Sequence, residues 1–247
     1  MDKMLYIAMS GAKQNMLALS INANNLANAK TTGFKADLAN ARAMQAFGEG
    51  LPTRVFSMTE RASQNFDSGA QLTTGKPLDV AIDGDGWFAV QSADGSEGYT
   101  RNGQFKITED GALQTNEGEL VIGDSGPIFI PLPINNISIG RDGTVMIQPE
   151  GAPARVQEEV GRIKLVRPDI KSLTKGSDGL FRASDGGFVQ ADITVKVNSG
   201  VLEGSNVNAV ESLTEILSLA RQYELHVKVM STADKNSESA ARLLHIS

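Results

Sequence analysis

The sequence predicts an α+β fold in which N- and C-terminal α-helices pack together as a coiled-coil-like domain around a central all-β, sandwich- or barrel-like domain. Three observations predict it. Glycine and proline, the strongest local breakers, are segregated: all eight prolines lie between Pro52 and Pro168, and only Gly11, Gly33 and Gly204 fall outside residues 48–200. Both ends carry apolar stripes at three- and four-residue spacing. The middle carries short β-type runs separated by Asp-Gly pairs. The expected division is 1–75 for the N-terminal helix and its connecting segment, 76–200 for the β-domain, and 201–247 for the C-terminal helix.

In the first segment Leu5, Ala8, Ala12, Leu19, Ala23 and Leu26 recur at threes, fours and sevens, and Met16 completes the stripe. They mark one face of a helix close to a heptad pattern. The helix is expected to stop near Lys30, a cation suited to the negative end of the dipole, with Gly33 in the left-handed position that follows. Residues 34–47 read as a second, shorter helix before Pro52. Asn22, Asn24, Asn25 and Asn28 crowd the last turns of the first helix, where asparagine has poor propensity. Two readings stand side by side: fraying and capping near Gly33, or side-chain amides that fix register against neighbouring helices.

Toward the C-terminus, Asn208 followed by Glu211 has the spacing of an N-cap with its capping-box partner. From there the stripe runs Leu213, Ile216, Ala220, Tyr223, Val227, Met230, Asp234, Ser237, Ala241 and Leu244, with Leu217 beside it. A helix over 210–244 would span roughly 50 Å at 1.5 Å per residue. Asp234 and Ser237 interrupt an otherwise apolar seam. Larger stripe residues contribute about 1.5–3 kcal/mol each when fully buried, whereas ordering the backbone costs about 1–2 kcal/mol per residue. The stripe cannot stabilise the helix unaided. The N-terminal helix, rich in Ala and Asn, leaves faces exposed, so helices from other subunits are expected to complete the bundle.

Between the helices, Asp-Gly pairs begin at Asp83, Asp85, Asp94, Asp110, Asp142, Asp178 and Asp185, and Asn102-Gly103 adds another. This is the chemistry of turns that require positive φ. Strands are expected at 78–82, 87–91, 104–108, 119–122, 144–147, 162–166 and 193–197. No helix-length segment separates them, so the pattern is not a βαβ array. In an alternating strand one of Trp87 and Phe88 would face the core, and the other would be exposed as a subunit contact.

Composition restricts function further. A net charge of −6 without a basic cluster disfavours nucleic acid as a partner. No stretch approaches the roughly 20 apolar residues of a membrane span, and a water-soluble chain is expected. The apolar run 4–9 before Ser10-Gly11-Ala12 has the look of a signal peptide, but it is short and its helical spacing continues past the supposed cut. The chain has no cysteine and two histidines, His226 within the C-terminal stripe and His245 in the tail. No nucleophile, zinc-binding or phosphate-loop motif appears. Asp83-Gly84-Asp85-Gly86 begins like a calcium loop but continues into Trp87-Phe88-Ala89-Val90, and position twelve is Asp94 where a Glu is needed. No enzymatic activity, cofactor, metal or small-molecule substrate is expected.

The run Asn24-Asn25-Leu26-Ala27-Asn28-Ala29-Lys30-Thr31-Thr32-Gly33-Phe34-Lys35 resembles the N-terminal signature of the bacterial flagellar rod and hook family. Leu202-Glu203-Gly204-Ser205-Asn206-Val207-Asn208, continuing through Tyr223 to Lys228-Val229-Met230-Ser231-Thr232-Ala233-Asp234, resembles its C-terminal signature. Residues 78–88 and Tyr99-Thr100-Arg101-Asn102-Gly103-Gln104-Phe105 are similar to the shared β-domain. Within the family, the opening residues and the single mid-sized β region look most like the proximal-rod members, with the distal-rod members as nearest rivals.

The resemblance implies an axial subunit exported through the flagellar secretion apparatus without a cleaved signal. Its partners would be copies of itself and other proximal and distal rod subunits. It would assemble across the periplasm into the rod that transmits motor torque, its helices stacked as inner tubes and its β-domain outermost. Asn24, Asn25, Asn28, Thr31, Thr32, Gly33 and Phe34 carry the motif. A reading from another class is a secreted β-domain binding protein or adhesin with a dimerising helical stalk.

Overall fold

The computed structural model of the chain describes residues 3–45, 55–59, 63–151, 153 and 156–244. The fold is α+β: helix α1, Lys3–Ala27, and helix α2, Ala209–Leu244, pack on one another, and the strands lie between them in sequence. Two compact units form. One gathers Met1–Ala29, Lys35–Asn65 and Val207–Ser247; the other comprises Lys30–Phe34 and Phe66–Asn206.

In the helical unit, α2 starts where Asn208 predicts it. The Asn208 Oδ1 accepts from the backbone N–H groups of Val210, at 3.1 Å, and Glu211, at 3.4 Å, satisfying donors that have no partner inside the helix. The 36 residues of α2 span about 54 Å.

The helix expected over 34–47 does not form; Phe47 and Pro52 lie outside the described residues. Asp37–Leu38 instead pairs antiparallel with Ser63–Gln64, and Ala41–Gln45 with Val55–Thr59. Asn25 supplies the cause. Its Nδ2 donates to the Asp37 carbonyl at 2.8 Å, and its Oδ1 accepts from the Asp37 N–H at 2.9 Å. Both backbone groups of Asp37 are thus taken by a side chain, and neither can enter a helical ladder.

In the β-rich unit every strand pairing is antiparallel. The main sheet runs, in spatial order, Leu173–Lys175, Phe181–Ala183, Glu97–Thr100, Trp87–Gln91, Leu120–Gly123, Leu113–Thr115 and Phe105–Ile107. Gly126–Pro127 and Leu165–Val166 attach to it, the latter on the strand Trp87–Gln91. Ile134–Ile139, Thr144–Pro149 and Glu158–Arg162 make a second sheet. Two further pairs, Val80–Asp83 with Lys196–Ser199 and Gln71–Thr73 with Val201–Glu203, bring distant segments together.

The strand Trp87–Gln91 departs from simple alternation because both of its faces are covered. Phe88 lies in one core with Phe105, Leu113 and Val145, while Trp87 lies in a second with Tyr99, Val166 and Phe181. Neither aromatic is exposed. Burial pushes the Tyr99 phenol up to about 12, even though its oxygen accepts the Val189 N–H at 2.9 Å.

All seven Asp-Gly glycines adopt positive φ, from +70° at Gly186 to +153° at Gly86. Asn102-Gly103 is different. Gly103 is not in the left-handed region; it lies so close to the next segment that a Cβ would come 1.7 Å from the Val80 carbonyl oxygen. Gly103→Ala should therefore destabilise the β-rich unit by about 3 kcal/mol, the upper range of overpacking. Gly84, with open space around it, should lose only about 1–2 kcal/mol as Gly84→Ala for its left-handed backbone. Denaturant midpoints of the two variants test the contrast.

Hydrogen bonds from Arg182 hold the Asp178 carboxyl below the usual aspartate range. A depressed folded value contributes stability above the ordinary aspartate pKa, and that contribution disappears as pH falls through the depressed value. Thermal melts of Asp178→Asn should lie below those of the parent protein at pH 7 and coincide with them in strong acid.

Candidate assembly site

The two helices meet through small and polar residues. In α1, Ala8 and Ala12 are buried, and Gly11 lies against the His226 imidazole so closely that a Cβ would come 2.6 Å from its ring. In α2 the shielded positions are Ser212, Ile216, Leu219, His226, Met230 and Ala233, a heptad-like succession. The sequence stripe has the same period. At four steps the shielded position precedes the stripe residue by one, or about 100° around the axis: Ser212 for Leu213, Leu219 for Ala220, His226 for Val227 and Ala233 for Asp234.

The remaining stripe residues divide accordingly. Leu5, Leu19, Leu26, Ile216, Ala220 and Met230 are half-buried. Met16, Ala23, Leu213, Leu217, Tyr223, Val227, Asp234, Ser237 and Ala241 are exposed, Met16 at 62% and Leu217 at 54%. Leu244 closes α2. Tyr6, Met9, Leu17, Val210 and Leu225 are also exposed and were absent from the stripe. Large apolar side chains thus lie on the outer surfaces of the helical unit, and small ones in its seam.

The asparagines separate by role. Asn25 is buried and clamps Asp37, whereas the Nδ2 groups of Asn22 and Asn28 donate to the carbonyls of Ala18 and Asn24, four residues back. Asn24 is exposed. For Asn25 the structure gives an answer outside both sequence readings: it organises the chain after the helix.

Within the β-rich unit the three motif segments converge. Gly33, with φ +69°, donates its N–H to the Glu203 carbonyl at 2.8 Å and packs against the Arg101–Asn102 peptide, where a Cβ would come within 2.3 Å. It is a close-approach residue six positions beyond α1, not the cap of that helix. Thr32 donates to the Asn102 Oδ1 at 2.9 Å, and that same oxygen accepts the Gln104 N–H. Phe34 accepts the Asn206 N–H at its carbonyl, and its ring lies under the Lys175 ammonium at 4.3 Å. Thr31 is half-buried, and its carbonyl accepts the Phe34 N–H. At the centre, Arg101 and Glu203, 4% and 3% exposed, form a 2.9 Å ion pair whose second carboxylate oxygen accepts the Gly69 N–H. No helical or strand periodicity distinguishes Arg101 and Glu203; only their place in the quoted motifs singles them out.

Among the described residues no group of three or more His, Asp or Glu is placed to hold a metal. His245 lies outside them, and His226 packs in the helical seam. Asp83 and Asp85 stand in exposed turns.

Breaking a buried ion pair from one side strands the other charge. Glu203→Gln and Arg101→Met should each lower unfolding free energy by about 3–5 kcal/mol. In a double-mutant cycle, Arg101→Met with Glu203→Leu should cost much less than the sum of the two single losses.

Comparison with known proteins matches these segments. Residues 5–35 match the family described as flagella basal body rod protein, 81–147 the flagellar hook protein FlgE/F/G D1 domain, and 198–243 the flagellar basal body rod FlgEFG protein C-terminal region. The chain is 44% identical to the flagellar basal-body rod protein FlgF of Escherichia coli (strain K12), over all of both chains. It is 36% identical to FlgF of Caulobacter vibrioides, over 99% of this chain and 98% of the relative. To FlgG of Agrobacterium fabrum it is 31% identical, over 97% and 98%. With likeness running the whole length of the chain, the protein belongs to the FlgF family of flagellar basal-body rod proteins.

Proposed function

We propose that this structural rod subunit occupies the proximal rod and polymerises through the outer faces of its terminal helices. The observation that carries the proposal is the inversion of the helical unit: Ala8, Gly11, Ala12, Ser212 and Ala233 are shielded, while Met16, Leu213, Leu217 and Val227 face outward. Apolar side chains on successive turns of an outer helical surface mark a protein interface. The partners are copies of this chain and sister rod subunits, and Asn24, exposed near the end of α1, is placed to set register between them. The β-domain forms the outer surface of the periplasmic drive shaft. Greater identity to the FlgF relatives than to the FlgG relative supports the proximal position.

The subunit reaches this site through the flagellar export apparatus with its N-terminus retained. In support, α1 runs unbroken through Ser10-Gly11-Ala12, and Gly11 packs on His226. The function is mechanical, with no catalytic step.

Leu217→Asp tests the interface without touching the seam. The monomer should keep its helical content and lie within about 0.5 kcal/mol of the parent in stability, as exposed substitutions do. Incorporation into basal bodies and swimming should be lost; normal swimming in such a strain would overturn the proposal.

A further inference from the structure

The β-rich unit contains a cavity of about 490 Å³ that the ion pair at the motif junction opens onto. Its inner wall is aromatic and cationic: Phe66 and Trp87 stand edge to face with centroids 6.0 Å apart, and the Arg101 guanidinium lies 5.3 Å from the Trp87 ring. Arg101 is 4% exposed, and its Nη1 is committed to Glu203. Its Nε–H is buried and has no acceptor among the described residues. A buried donor left without an acceptor costs about 1–3 kcal/mol, so such a group is rarely left in that state without a ligand to receive it.

The rim adds charge of one sign. Arg167 and Lys171 are exposed there; Arg167 is 3.9 Å from Asp192, a separation that holds it loosely. Asp169, also at the rim, is occupied in capping the short turn Ile170–Ser172, its Oδ1 accepting the Lys171 N–H at 3.0 Å. Asp85 sits in its own exposed turn. Ile170, 48% exposed, provides an apolar edge.

The geometry points to a carboxylate socket: the Nε side of Arg101 receives an aspartate or glutamate from an acidic turn of a neighbouring axial subunit. Arg167 and Lys171 draw the acid in, and Trp87, Phe66 and Ile170 contact its stem. A guanidinium edge matches a carboxylate in plane and spacing, and a site screened from water strengthens that bond. Charge complementarity supports the occupant: this chain carries net charge −6 and presents Asp83, Asp94 and Asp110 on exposed turns, so a second copy offers the required group. The inference rests on the rod-subunit reading for its occupant, not for its chemistry.

Two measurements on the full chain test it. In the first, the Arg101 Nε–H and Trp87 indole NMR signals are followed while blocked Asp-Gly dipeptide is added at constant ionic strength, with blocked Asn-Gly as control. A saturable shift with the aspartyl peptide alone is expected, weakened at least tenfold in Arg167→Gln/Lys171→Gln. No saturable shift, or an equal response to Asn-Gly, overturns the socket.

In the second, Arg167→Glu/Lys171→Glu is expressed in cells. It should retain the parent melting temperature yet show at least tenfold lower incorporation into basal bodies. Full incorporation of this variant, with peptide binding intact in the parent, overturns the neighbouring subunit as occupant. Leu217→Asp is the control that separates the two ideas: normal swimming there defeats the rod reading and leaves the peptide titration standing.

Discussion

The buried pair of Arg101 and Glu203 imposes its terms on everything around it. Two charges removed from water need their remaining hydrogen-bonding capacity filled, and the chain fills it with backbone brought in from far along the sequence. Gly69 supplies an N–H to the second carboxylate oxygen, and Gly33 supplies one to the carbonyl of Glu203 itself. Such approaches leave no room for side chains. A Cβ on Gly69 would come 2.0 Å from the Gly204 carbonyl oxygen, and one on Gly33 would overlap the Arg101 carbonyl carbon. The Thr-Thr-Gly-Phe segment, the Arg-Asn-Gly segment and the Leu-Glu-Gly segment are three parts of a single packed junction. Their residue types follow from that junction, independently of any contact with another molecule.

The helical unit obeys a different constraint. Two helices that approach through Ala8, Gly11 and Ala12 on one side and Ser212 and Ala233 on the other come close together but remove little apolar area from water. The side chains with more area to bury, Leu213, Leu217, Val227, Met9 and Met16, are left outside. Stability gained inside the subunit is modest, and the larger gain is reserved for contacts between subunits. An assembly protein benefits from that division, because the strongest apolar driving force acts only when a neighbour arrives.

Sequence periodicity showed where the helices are and how long they run, but not which way α2 faces. A 3.5-residue pattern read from Leu213, Ala220 and Val227 and one read from Ser212, Leu219 and His226 are parallel tracks on the same cylinder. Hydrophobicity favours the first track because its residues are larger. The structure shields the second because close approach selects for small ones. Asp234, which looked like a defect in the seam, stands outside it beside the buried Ala233. The turns were legible because Asp-Gly chemistry is local: all seven glycines have the required φ. Gly103 and residues 34–47 were not legible, since a carbonyl of Val80 and a side chain of Asn25, both distant in sequence, decide them. Most of the unanticipated strands, such as Glu97–Thr100 and Glu158–Arg162, are polar or glycine-bearing and are held by their neighbours more than by their own composition. The carboxylate-free edge of Arg101 has no signature in sequence at all.

One topological fact has a kinetic meaning. The strand Val201–Glu203 pairs with Gln71–Thr73, and Glu203 also receives Gly33, so the β-rich unit closes only after contacts spanning about 130 and 170 residues are made. Loops of that length must be closed before the contacts that reward closure exist, and folding rate falls steeply as mean contact separation rises. Until residue 203 has been synthesised, no segment can complete the junction. The chain is thus a slow folder by construction, and the interval during which it stays extended is the interval in which a narrow conduit can thread it.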